Sequence, residues 1–329
     1  MARGKQKSIL VVGAGIAGLT AARALVENGH EVTVLEKNDT IGGRMSTRTL
    51  FGGVFDDGAQ FFTVKDPRFG EMVDRWTEKG IVVDWFHSQL IRGGGENPDG
   101  HPRYCGVAGM QSIISEISEG LSIRTSSTVT GIESKKHGYR ILLEGGDSLE
   151  ADSVILTAPV PEALVLLDRS GLKLDPADQE ILKSIEYTPC ITVLATLKEE
   201  SALTVWGGLR ISGEFIDWIA DNRRKGISLD KTAITIQAMP SFSWHRWDED
   251  DEVLAKALLE NASILLKAEP DEWKVLRWEH AKPTATHPEA FVAVGSPTLL
   301  LAGDGFQGYR VEGAAISGME AAKRIIQLD

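Results

Sequence analysis

Four residues near the start of the chain have types and spacing suited to one kind of chemistry. Gly13, Gly15 and Gly18 lie in the run GAGIAG, and Glu36 follows at the end of EVTVLEK. A glycine at the first position permits a tight turn, one at the second lets backbone approach a pyrophosphate, and one at the third lets helix and strand pack closely. The opening turn of the helix then offers N–H groups and the positive end of its dipole to phosphate. An acid about 20 residues on accepts hydrogen bonds from a ribose hydroxyl and repels a 2′-phosphate. The set predicts dinucleotide binding but does not by itself decide between FAD and NAD.

Two further stretches have the same character. IGGRMSTR (41–48) follows Glu36 with a glycine pair and Arg44, a side chain able to hold phosphate. LAGDGFQGYRVEGAAISGMEAA (301–322) combines an apolar strand, Asp304, several glycines and a helix of small residues. No Ser-His-Asp arrangement, H-E-x-x-H or clustered Cys/His is present, so no metal is expected. Cys105 and Cys190 are far apart and read as reduced thiols.

The elements that position these residues follow from apolar periodicity. SILVV is a continuous apolar run, as in a strand buried on both faces, and the helix after it has apolar spacing through Leu19, Ala22, Leu25 and Val26 before Gly29 ends it. Residues 39–63 read as glycine-rich and irregular. Helices are expected over 66–80, 109–121 and 250–267, and from about Gly313. Short strands with turns at Lys136–Gly138 and Gly145–Gly146 lead into the buried strand SVILTAP. The middle, 165–285, holds six of the eight tryptophans and the strands CITVLATL and TAITIQAM. The expected class is α/β: a Rossmann-type nucleotide domain from 1–65, 105–165 and 286–329, with an inserted α+β substrate domain from 66–104 and 166–285.

The net charge of -12 argues against nucleic acid and anionic membrane as partners. No run approaches the roughly 20 apolar residues of a membrane span. The basic N-terminus leads into glycines and not into a signal-peptide cleavage site, so a cytoplasmic location is expected.

Gly42-Gly43-Arg44 at one end, with Gly303-Asp304, Glu312-Gly313-Ala314 and Ser317-Gly318 at the other, resemble the flavin-containing amine oxidase superfamily. FDDGAQFFTVKDPRF (55–69), TAP (157–159) and RWEHAKP (277–283) are similar to its renalase branch. The resemblance implies the two-domain architecture shared with p-hydroxybenzoate hydroxylase and non-covalent FAD. The implied cofactor set is Gly13, Gly15, Ala17, Gly18, Glu36, Lys37, Gly43, Arg44, Met45, Ala59, Gln60, Val129, Ala158, Gly303, Asp304, Gly313 and Ala314. Asp304 would bond the ribityl or pyrophosphate region, and the last helix would point its N-terminus at the flavin.

Two departures argue against simple amine oxidation. YTPCITV lacks the lysine that classical amine oxidases carry near flavin N5. Arg310 stands where they place a cage tyrosine, and an arginine repels a cationic amine. The resemblance implies instead an oxidase of dihydronicotinamide dinucleotides with the hydride at ring position 2 or 6, passing hydride to FAD and electrons to O2. The substrate-facing candidates are Gln60, which the resemblance brings near the flavin to bond a carboxamide, with Asn222, His245 and Arg310. Phe61 and Phe62 read equally as core aromatics, Asn222 as part of a solvated turn, His245 as structural, and Trp278 and Tyr309 as either flanking or core. The rival readings are an amine or amino-acid oxidase, a polyene desaturase, and an FAD-binding protein without turnover. The oligomeric state is not legible.

Overall fold

A computed structural model describes residues 6–87, 89–91, 95–97, 101–204, 206–211, 213–295 and 298–328. The chain divides into two units, each built from separated segments: Met1–Gly43, Ile114–Glu186 and Pro283–Asp329 in the first, Arg44–Ile113 and Tyr187–Lys282 in the second.

The first unit centres on a six-stranded sheet. Its spatial order is Val292–Val294, Leu299–Leu301, Ser153–Leu156, Ser8–Val12, Glu31–Leu35, Ser122–Arg124. All neighbours pair in parallel except the first two strands, which pair antiparallel. Ser153–Leu156 is buried along its whole length, as its unbroken apolar run requires. The expected βαβ unit is present, with the helix Ile16–Glu27 between the strands Ser8–Val12 and Glu31–Leu35. A three-stranded antiparallel sheet (Val129–Ser134, Tyr139–Leu143, Ser148–Ala151) has its turns at the two predicted places.

The first helix and the last, Val311–Ile326, pack on faces of small residues. Gly18, Ala21 and Ala22 lie on one, and Ala314, Ala315, Gly318 and Ala322 on the other. The approach brings backbones together: Thr20 Oγ1 lies 3.2 Å from the Ala315 carbonyl, and a Cβ on Gly318 would stand 2.0 Å from the Ala17 carbonyl oxygen. A Cβ on Gly18 would meet the Gly13 carbonyl oxygen, also at 2.0 Å, which is the packing constraint read from the sequence.

The second unit contains a seven-stranded sheet ordered Pro270–Pro283, Tyr187–Leu197, Ala233–Ala238, Ile216–Asp221, Gly208–Arg210, Gln89–Ile91, Gly95–Asn97. The helix Asp251–Leu266 buries Leu254, Ala255, Leu258, Ala262 and Leu266 in the core formed with Ile191, Val193, Ile219, Ile234 and Ile236.

Some expectations change. Residues 44–65 cluster with the second unit and contain a hairpin, Thr47–Leu50 with Gly53–Asp56, where the glycines suggested irregular chain. Phe51 and Gly52, both at positive φ, make its two-residue turn. Residues 105–113 also lie in the second unit, and 166–186 lie in the first with the helices Val160–Arg169 and Pro176–Lys183. The last helix starts at Val311, two residues before Gly313, with Arg310 as its N-cap. Among the described residues no helix is long and apolar enough to cross a membrane.

Replacing Gly318 by Ala drives a methyl into backbone across the helix pair. The expected cost is about 1–3 kcal/mol, read as a lower midpoint in chemical denaturation with an unchanged slope.

Candidate functional site

In the first unit, Gly13 adopts φ +105° at the end of the strand Ser8–Val12, and Gly15 caps the first helix with extended backbone and no side-chain cap. A Cβ on Gly15 would meet nothing within 4 Å, so that side of the turn is open, as a pyrophosphate cradle requires. Glu36 is buried and braces this turn. Its Oε2 accepts from the Ala14 amide at 2.9 Å, and its Oε1 from the Asn38 amide (2.9 Å) and side chain (2.8 Å). Three donors occupy three of a carboxylate's roughly four acceptor positions, which leaves one for a ribose hydroxyl. Thr157 completes the turn: its hydroxyl donates to the Val12 carbonyl at 2.9 Å and lies 3.3 Å from that of Gly13. No sequence signal singled it out beyond its place in TAP.

The C-terminal motif folds against the same sheet. Gly303 and Asp304 follow the strand Leu299–Leu301, and both are buried. The Gly303 amide donates to Ser317 Oγ at 2.8 Å, and Ser317 donates to the Ala290 carbonyl at 2.6 Å. Gly313 and Ala314 lie in the first turn of the last helix, and Arg310 is exposed at its N-cap. Ala17 is buried in the first helix. Lys37 is exposed and pairs with Glu162 at 2.8 Å, while Val129 and Ala158 are half-buried.

The second unit holds FDDGAQFF. Asp56 and Lys225 are both sealed from solvent and stand 2.5 Å apart. Asp56 Oδ1 accepts from Thr47 Oγ1 (2.6 Å) and the Met110 amide (2.8 Å). Lys225 Nζ also donates to the Gln60 carbonyl at 2.5 Å and lies 4.7 Å from the centroid of Trp85. Removing one partner of such a pair strands a buried charge, which costs about 3–5 kcal/mol. Asp57 bonds Ser46 at 2.5 Å and pairs with Arg48, and its carbonyl accepts from Trp278 Nε1 at 3.0 Å. Burial holds the Asp57 carboxyl above the usual aspartate range, against the pull of Ser46 and Arg48. Burial pushes the Cys105 thiol up to about 11, which makes it a poor nucleophile.

Gln60 is buried. Its Nε2 donates to the carbonyls of Asp56 (2.6 Å) and Gly58 (3.2 Å), and its Oε1 has no hydrogen-bond partner. Ala59 donates to the Arg44 carbonyl at 2.7 Å, and a Cβ on Gly58 would stand 2.3 Å from that oxygen, so DDGAQ folds tightly on Arg44. Met45 is buried beside it. Arg44 donates to the carbonyls of His280 (3.0 Å) and Ala281 (3.3 Å), so part of its guanidinium is held by protein.

The four residues expected to face substrate separate by role. Gln60 and Asn222 join through Asp56, but Asn222 is fully buried. Its Nδ2 donates to Ala233 (3.1 Å) and Thr235 (2.9 Å), and its Oδ1 faces the Asp56 amide at 3.4 Å. Asn222 therefore braces the turn and does not face a ligand, and the turn DNRRKG is solvated only at Arg223, Arg224 and Gly226, while Asp221 collects the Arg223 and Arg224 amides and Lys225 is buried. His245 is exposed at the end of the helix Pro240–His245, its Nδ1 2.7 Å from the Ser241 carbonyl of its own helix. Phe62 is core, stacked on Tyr104, while Phe61 is half-buried with its ring 5.3 Å from Trp218. Asp56 and Lys225 were missed. The adjacent acids of DDG were the available signal for one, and nothing in RRKG distinguished the other. Among the described residues no group of three or more His, Cys, Asp or Glu is gathered for a metal.

Comparison with known proteins assigns this arrangement. A model described as an NAD(P)-binding Rossmann-like domain matches residues 11–76, and one described as flavin containing amine oxidoreductase matches residues 78–326, more than half of the chain. The chain belongs to the flavin-containing amine oxidoreductase family. That family is one of FAD-dependent oxidoreductases, and FAD is its cofactor. A protein of Exiguobacterium sp. 255-15, provisionally assigned as a protoporphyrinogen oxidase, has the same fold (TM-score 0.78, 16% identity, 99% of this chain and 100% of that one). So does wild-type putrescine oxidase bound to putrescine (TM-score 0.69, 16% identity, 98% and 99%). A 4,4′-diapophytoene desaturase of Staphylococcus haemolyticus is 50% identical over 58 residues, which span 18% of this chain and 12% of that protein.

Two outcomes follow from these contacts. Glu36→Ala removes the acceptor for two backbone amides, so it lowers stability by about 2 kcal/mol and lowers flavin absorbance per protein in the purified sample. Because the Asp57 pKa is raised in the fold, its contribution to stability is full below pH 3.8 and falls as pH rises through the raised value. The stability of the native protein relative to Asp57→Asn, from denaturation at several pH values, should therefore decrease over that interval.

Proposed function

We propose that this protein is a flavin oxidase of dihydronicotinamide dinucleotides whose hydride sits at ring position 2 or 6, returning NAD(P)+. FAD supplies the hydride acceptor and passes the electrons to O2, giving hydrogen peroxide. In the first unit Gly13, Gly15, Ala17, Gly18, Glu36, Gly303, Asp304, Gly313 and Ala314 would hold the cofactor, and in the second Gly58 and Ala59 shape the turn on Arg44.

The observation that carries the substrate reading is Arg310, an exposed cation at the N-cap of the last helix. A guanidinium there suits the pyrophosphate of a dinucleotide and repels an amine. No proton need be taken from the substrate ring, so the protein's task is to bind and orient.

Amine oxidation is the second reading. Putrescine oxidase, bound to putrescine, shares the fold.

Rapid anaerobic mixing of the flavoprotein with each dihydro isomer should bleach the flavin band, and air should restore it. Bleaching by putrescine alone would replace this reading with the second one. Arg310→Ala should raise KM for the isomer roughly tenfold.

A further inference from the structure

We propose that His287 is a positioning residue for FAD, whose ring holds the loop 303–308 in the shape that carries the cofactor contacts. The inference rests on the reading above that Gly303, Asp304 and Gly313 hold FAD, while the strap that His287 forms is read from its own contacts. His287 is buried. Its backbone grips the loop on both sides: its amide donates to the Gly305 carbonyl at 2.7 Å, and its carbonyl accepts from the Gln307 amide at 2.8 Å. Gln307 stands at φ +56°, a conformation that residues with a side chain populate sparsely and keep only where the surroundings impose it. The bond to His287 is one of the contacts that imposes it.

What fixes His287 is its ring. The Glu289 amide donates to Nδ1 at 3.2 Å, and an N–H can only donate, so the ring hydrogen sits on Nε2. Nε2 lies 3.2 Å from Asp178 Oδ1, in the first turn of the helix Pro176–Lys183 and 109 residues away along the chain. The ring also packs on Phe306 of the loop, with centroids 5.8 Å apart. One side chain thus ties its own turn, a distant helix and the loop together. Ser317 closes the other side, between the Gly303 amide and the Ala290 carbonyl. The far end of the loop rests on the last helix, where a Cβ on Gly313 would stand 2.1 Å from the Gly308 carbonyl oxygen. The first turn of that helix is half-exposed and no side chain caps it. A shift of the loop therefore displaces Gly308 across that turn, and His287 acts on the cofactor through the loop.

The test compares the parent holoprotein with two variants at the strap. His287→Phe keeps an aromatic ring and loses both ring hydrogen bonds. His287→Asn keeps an oxygen close to the place of Nδ1, able to accept from Glu289. Two quantities are read: amide hydrogen exchange over 303–308, and the rate of FAD release on dilution, followed by flavin fluorescence. Both should rise about tenfold in His287→Phe, and His287→Asn should fall between it and the parent. Asp304→Ala is the control for the cofactor reading and should release FAD faster than the parent. If it does not, that reading falls, and exchange over 303–308 alone decides whether His287 holds the loop. If it does, unchanged exchange or unchanged release in His287→Phe overturns the proposal, and so does a His287→Asn variant no better than His287→Phe. Should His287→Phe not fold, Asp178→Ala removes the partner of Nε2 at a side chain already 33% exposed. The same two rises, smaller in size, are then expected, and their absence overturns the proposal.

Discussion

An ammonium and a carboxylate 2.5 Å apart, both shut off from water, set the terms for the second unit. Bringing two ions out of water is expensive, and it is tolerated only when every remaining donor and acceptor is met. Here they are. Thr47 and the Met110 amide take the other Asp56 oxygen, and the Gln60 carbonyl and Trp85 take what is left of Lys225. Meeting those demands draws in the hairpin Thr47–Leu50/Gly53–Asp56, the start of the helix Gln111–Ser118 and the turn after Ile216–Asp221. The DDGAQ turn is what all three enclose.

The first unit solves a similar problem with a single charge. Glu36 receives the Ala14 and Asn38 amides, so it stiffens the glycine turn as well as offering an acceptor to a ribose. In both units a buried acid braces a glycine-bearing turn, Glu36 by collecting backbone amides and Asp56 by holding Lys225, whose ammonium reaches the Gln60 carbonyl. Charge-assisted bonds of this kind are short and directional, and they hold backbone that has no regular secondary structure of its own. That places a defined surface next to flexible-looking sequence.

The glycine spacing, the acid that follows it, the parallel strands around SILVV and the family resemblance were legible because each rests on local sequence order. The hairpin at 47–56 was not, because glycine signals loops and two-residue turns alike, and only pairing across the strands decides between them. Asn222 and Lys225 sit in a charged run, DNRRKG, that looks like surface. What buries them is Asp56, 169 residues from Lys225 along the chain, and no local pattern carries that information. Arg44 was read as a phosphate ligand, yet the His280 and Ala281 carbonyls engage one of its nitrogens, again from a distant segment.

The segmentation of the first unit also governs how the molecule is made. Its central strand, Ser8–Val12, pairs with Ser153–Leu156, and its first helix packs on Val311–Ile326. On a ribosome the nucleotide turn emerges about three hundred residues before the helix that covers its neighbour. Through that interval the face of Gly18, Ala21 and Ala22 has no partner. The second unit, with a long run of its strands contiguous between Tyr187 and Lys282, is not bound by that wait. The glycine turn is thus translated long before the surface that braces its helix, and it completes its packing only when that later helix arrives.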